Sequence, residues 1–270
     1  MILASASPAS VALTCAAALA YAVPAVAAAR LGPGGTRAAL LGAWVMHALV
    51  LAWSLIAETP RFGFAPALSV TAWLVLTVYA IESRLYPQLR VRAVLAGLGA
   101  AAVLLALVFP GTPLHMNASP WLPLHLALGI ASYGLFAAAV VHAALMTRAE
   151  RQFRLAADPH SGMPLLTLER LTFRFVQAGF VLLSATLLAG WLFGETLYGA
   201  ARAAQGFKAD HKTVFSLLAW FTFAALLTGR ARFGWRGRTA VRVLYIGAAL
   251  LLLAYVGSRF VVEVILGRAT

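Results

Sequence analysis

The stretch PLHMNASPWLPLHLALGIASYGLFAAAVVHAALMTR, residues 113–148, decides the fold. It starts as a charge-free loop with Pro113, His115 and Pro120, and enters an apolar run at Trp121. His125 lies about one turn inside that run, which ends at a cluster of arginines. An uninterrupted apolar run of this length is long enough to cross a bilayer as a helix, which needs about 20 residues. It shows none of the period-two alternation of a barrel strand, and only helices and closed barrels satisfy their backbone polar groups in lipid.

The rest of the chain repeats the pattern. Of its 270 residues 62% are hydrophobic and 11% charged, against about 25% charged in a soluble domain. Eight candidate spans follow: about 8–29, 38–57, 64–81, 93–109, 121–146, 175–193, 211–228 and 243–262. The seventh reaches spanning length only if its helix begins near His211. The expectation is an all-α integral membrane protein, a bundle of about eight transmembrane helices forming one polytopic domain over 1–270. The first run could be read as a secretory signal. A signal carries its positive charge before the apolar stretch, whereas here Arg30 and Arg37 follow it, so an uncleaved first helix is expected.

The net charge of +13 comes from arginines clustered between apolar runs. That is a topogenic pattern and not a nucleic-acid footprint. The loops after spans one, three, five and seven are the richer in arginine. By the positive-inside rule they face the cytoplasm, and both termini face outward, to the periplasm of a bacterial inner membrane. The lone Cys15 leaves no internal disulfide and no CxxC pair. Walker, GxSxG and HExxH motifs are absent, as is any ladder of acids within the spans. No catalytic residue is assigned.

Ionisable groups in or beside spans remain as functional candidates. His47 lies mid-span, where a neutral imidazole either hydrogen-bonds a neighbouring helix or ligates a metal or haem. His115, His125 and His211 share the outer face with Trp121. Two histidines of different helices at one depth, His125 and His211 first among them, can ligate a haem iron axially, with Lys208 and Lys212 near its propionates. The plainer reading is that they are interface residues. His142, near the inner end of span five, reads as a packing residue and His160 as solvated.

Several segments resemble a known family. PWLPLHLALGIASYGLFAAAVVHAAL carries Trp121, His125, Ser132 and Tyr133. MPLLTLERLTFRFVQAGFVLLSATLLAGWLFGE carries the lead-in Leu168, Glu169 and Arg170. HKTVFSLLAWFTFAALLTGRARFGWRGRTAVRVLYIGAALLLLAYVGSR carries the turn from Gly234 to Gly237. Together they resemble the last 150 residues or so of the cytochrome c assembly family, and the eight-span plan resembles its small branch of HemX and inner-membrane YpjD proteins. The resemblance implies a haem-handling membrane protein that holds haem b near the outer face and presents it to an apocytochrome or to other assembly proteins. It places His125 on the first outer histidine of the family and His47 on its early-span histidine. The tryptophan-rich WGxxWxWD signature is missing, Thr228 stands at an inner histidine position, and no histidine follows Gly257. His211, by position, can stand in as the outer ligand. Read without the resemblance, the same plan also suits a small transporter or exporter, or a non-catalytic scaffold.

Overall fold

The computed structural model describes residues 8–56, 61–85, 92–113, 121–154, 164–193 and 211–265. Eight helices are described: α1 (Pro8–Val26), α2 (Ala28–Ile56), α3 (Phe64–Leu85), α4 (Arg92–Val108), α5 (Leu122–Arg154), α6 (Leu165–Leu192), α7 (His211–Phe233) and α8 (Gly237–Leu252). Two π-helical turns, Leu253–Gly257 and Val261–Ile265, carry α8 onward around Ser258–Phe260. Seven of these helices are long and apolar enough to cross a membrane. The helix α4, at 17 residues, is about 25 Å long, at the short limit of the roughly 17–25 residues that span a bilayer. The seventh expected span does begin at His211.

Helix α6 starts ten residues before the apolar window that marks it in the sequence. Its first turns are amphipathic. Leu168, Thr172, Phe173 and Val176 are buried, while Arg170 and Arg174 are exposed. A window of mean hydropathy averages the two faces and misses the helix; the three-to-four residue spacing builds it. The two strands Arg61–Phe62 and Thr112–Pro113 pair antiparallel, which no apolar run foretells. Gly111 (φ +80°) permits the pairing, because a Cβ there would lie 2.5 Å from the Phe62 carbonyl oxygen.

The sequence reads as one polytopic domain over 1–270; the helices pack as two compact units, 1–114 with 262–270, and 115–261. In the first unit α1 packs on α2 and α4, and α3 on α4. Tyr21 of α1 is fully buried. Its ring rests on Gly99 of α4, where a Cβ would lie 2.8 Å from the ring.

In the second unit α5 packs on α6 and α7 on α8. Phe136 (α5) and Phe223 (α7) stack with ring centroids 3.8 Å apart and planes 8° from parallel. A Cβ on Gly179 of α6 would lie 3.2 Å from the Phe136 ring, and one on Gly247 of α8 would lie 2.7 Å from the Phe223 ring. One layer thus runs glycine, ring, ring, glycine through all four helices. Small residues at such crossings let helices approach where lipid supplies no hydrophobic drive.

At the arginine-rich end of this unit, the Arg230 guanidinium donates to Glu169 Oε1 at 2.5 Å and lies 3.6 Å from the Phe173 ring centroid. Gly234 (φ +64°) and Gly237 (φ +55°) take the left-handed conformations that close the turn from α7 to α8. Trp235 folds back within that turn, and its ring covers Gly229.

Alanine outranks glycine in helix propensity by about 1 kcal/mol. Gly247→Ala is nonetheless expected to destabilise the protein, because the Phe223 ring behind it is held by Phe136 and has no room to retreat. Phe223→Ala should cost more, on the order of 3 kcal/mol from the unfilled space. Thermal unfolding in detergent of the two variants checks both; a more stable Gly247→Ala protein would refute the stacked layer.

Candidate functional site

Two hydroxyls inside the first unit converge on His47. It is 0% exposed. Its Nδ1 pairs with the Tyr21 hydroxyl at 3.0 Å, and its Nε2 with the Ser69 hydroxyl at 2.8 Å. Three helices, α1, α2 and α3, each supply one member. One ring nitrogen of a neutral imidazole donates and the other accepts, so both are engaged within the protein. Nearby, Trp44 and Trp73 stack at 5.1 Å, with Trp44 Nε1 donating to Thr77 Oγ1 and Trp73 Nε1 to the Trp44 carbonyl.

In the second unit the candidates lie at the end opposite the arginines. Trp121, just ahead of α5, stacks on Phe193 at the end of α6, with centroids 6.4 Å apart and planes 16° from parallel. One turn into α5, His125 is half-buried. Its Cε1 lies 3.4 Å from where a Cβ on Gly190 would stand, so the imidazole lies in van der Waals reach of Gly190 on α6. Trp191 beside it is 75% exposed. His211 opens α7 and is exposed, and the Lys212 ammonium lies 5.7 Å from the Tyr255 ring centroid in the π-helical turn. His125, His211 and Trp121 thus sit at one end of one unit, with aromatic rings and a cation around them. An imidazole packed against a second helix, with aromatic side chains at the same end of the unit, is of a type that could ligate a haem iron. His47 belongs to the other unit and is held by Tyr21 and Ser69. His115, His160 and Lys208 lie outside the described residues.

His142 is buried, with Nδ1 near the Ala138 carbonyl at 2.8 Å and its ring 5.2 Å from Phe175, in keeping with a packing role. Among the described residues no three His, Cys, Asp or Glu side chains gather as a metal cage. Sequence reasoning missed two features here. The partners of His47 were signalled only by Tyr21 and Ser69 lying within apolar runs. The Tyr133 hydroxyl, which donates to the Leu251 carbonyl, meets α8 where it widens into its π-helical turn. A side-chain donor entering the helical ladder is a known cause of such local distortion.

Comparison with known proteins bears on this arrangement. A family model described as cytochrome c assembly protein matches residues 36–266. An Escherichia coli protein named inner membrane protein YpjD is 33% identical over 153 residues, 56% of this chain and 56% of the relative. The chain thus spans a little over half the length of that relative. A cytochrome c biogenesis protein CcsA from Gloeobacter violaceus is 30% identical over 97 residues, 36% of this chain and 27% of that protein. A CcsA from Synechococcus is 24% identical over 240 residues, 77% of each chain. No solved structure matches.

The His47 cluster yields a stability prediction. Tyr21→Phe keeps the ring on Gly99 and removes one hydrogen bond, at a cost of about 1 kcal/mol. His47→Leu strands two buried hydroxyls and should cost more than Tyr21→Phe and Ser69→Ala taken singly. Unfolding midpoints of the three variants in one detergent decide the order; an equal or milder effect of His47→Leu would show that the cluster does not hold the helices.

Proposed function

Because the chain belongs to the cytochrome c assembly protein family, we propose that it is a bacterial inner-membrane protein of cytochrome c biogenesis that binds haem b. His125 and His211 hold the cofactor near the periplasmic end of the second unit. The arginine-rich ends face the cytoplasm and both termini face outward, as the loop charges require. The observation that carries this reading is the place of His125. A half-buried imidazole lies against Gly190 of α6, at the end of the unit where Trp121 stacks on Phe193.

Haem, when bound, would supply an iron for imidazole nitrogens to hold and two propionates that need cationic or hydrogen-bonding partners. The chain's own groups meet each demand. His125 is oriented by the packing of α5 on α6, Trp121 and Phe193 present aromatic surface, and Lys212 brings positive charge. His211 stands at the first residue of its helix and is exposed. His47 is left out of the proposed ligand set, since Tyr21 and Ser69 occupy its nitrogens. The recipients of the haem are an apocytochrome or other assembly proteins embedded in the same bilayer. The protein acts by holding and presenting the cofactor and performs no turnover of its own.

The test is the reduced-minus-oxidised visible spectrum of detergent-purified protein, reconstituted with haem where needed. Wild type should show a Soret band that is lost in His125→Ala and weakened in Gly190→Leu, whose side chain pushes the imidazole from its place. His47→Leu, in protein that remains folded, should keep the band. A wild type that stays colourless after haem is added would overturn the proposal.

A further inference from the structure

The arginine-rich end of the second unit has a feature that membrane orientation alone does not require. Its arginines come in helical pairs on exposed faces: Arg148 and Arg151 on α5, Arg170 and Arg174 on α6, Arg238 and Arg242 on α8. Residues three or four apart on a helix are neighbours on its surface. Each pair therefore offers two guanidinium groups to one anion. Among the described residues of this end the acids are Glu150 and Glu169, and Glu169 is held by Arg230. The paired arginines thus carry a large excess of positive charge. Lys212 belongs to the opposite end, at the start of α7. Among the described residues of this end the exposed cations are arginines, whose planar fork matches the oxygens of a phosphate in a way a lysine does not.

Depth says which phosphate. Helix α6 has 28 residues, about 42 Å at 1.5 Å per residue, against roughly 30 Å of hydrocarbon. Counting about 20 residues back from Leu192 brings the edge of the hydrocarbon to the turn of Arg174. The exposed stripe of α6 runs Leu166, Arg170, Arg174, then Val181. That of α8 runs Arg238, Arg242, then Tyr245 and Ile246. Each stripe changes from charged to apolar along one helix face. Its guanidinium groups therefore stand at the level of lipid headgroups, directly beside surface that lipid chains cover. A soluble nucleic acid or acidic protein would have to reach past the headgroups to engage them.

We propose that these paired arginines form a binding surface for the phosphates of anionic phospholipids. The surface is separate from the haem-binding end and does not depend on it. Bound anionic lipid neutralises the clustered charge and ties the ends of α5, α6 and α8 together.

The test uses the full chain in a mild non-ionic detergent. Thermal unfolding is followed with added phosphatidylglycerol, with phosphatidylcholine, and with inorganic phosphate at the same phosphorus concentration. Phosphatidylglycerol should raise the midpoint well above the phosphatidylcholine value, and inorganic phosphate should leave it unchanged. The fourfold variant Arg170→Gln, Arg174→Gln, Arg238→Gln, Arg242→Gln should lose more than half of the phosphatidylglycerol shift while melting like wild type in phosphatidylcholine. The corresponding fourfold lysine variant, which keeps the orientation charge, should recover only part of the shift. Equal stabilisation by both lipids, or a full shift retained in the glutamine variant, would overturn the proposal. If the fourfold glutamine variant does not survive purification, native mass spectrometry of Arg238→Gln, Arg242→Gln decides. Undiminished retention of phosphatidylglycerol refutes the surface, and reduced retention supports it.

Discussion

The stacked rings of Phe136 and Phe223, closed on either side by Gly179 and Gly247, are the contact on which the second unit depends. In water such a pair would be driven together by the removal of apolar area. In a bilayer the surrounding chains are as apolar as the rings, so that drive is absent and close fit must replace it. The layer achieves fit by placing nothing but hydrogen on the outer helices where the rings press. The placement of His125 follows from it, since the same packing of α5 on α6 that seats Phe136 on Gly179 lays the imidazole against Gly190 about three turns away.

The first unit solves the same problem with polar groups. Tyr21 rests its ring on Gly99 and gives its hydroxyl to His47, which reaches on to Ser69. Four helices meet through these four residues. A buried hydroxyl or imidazole without a partner is costly where no water can enter, so each polar member fixes the orientation of the next. The two units thus use glycine in one role, as the surface an aromatic ring is laid on, and differ in what the ring does beyond that.

Charge is kept to the helix ends. The inward-pointing acid Glu169 is held by Arg230, whose guanidinium also covers Phe173. That arrangement pins α6 to α7 beside the glycine-closed turn into α8. The opposite end of the unit holds His125 and His211, with Trp121 stacked on Phe193 there. The two rims of the unit therefore differ in character, one charged and the other aromatic and histidine-bearing.

The sequence by itself determined the class and the spans. A backbone in lipid must satisfy its own hydrogen bonds, so apolar runs of this length and continuity have to be helices, and their order can be read off directly. It also marked His125, His211 and Trp121 as sharing one side, because span order assigns ends. It did not show the amphipathic start of α6, whose charged face lowers the mean hydropathy, nor the short pairing of 61–62 with 112–113. It left His47 open between packing and ligation, since the choice rests on which side chains surround it. Spans that are apolar on every face carry little periodic signal of which face is buried. Only the tertiary structure decided that the helices gather in two fours, that Tyr21 and Ser69 take both nitrogens of His47, and that His125 lies against a glycine. Those outcomes rest on shape at helix crossings, a property of pairs of residues far apart in the chain.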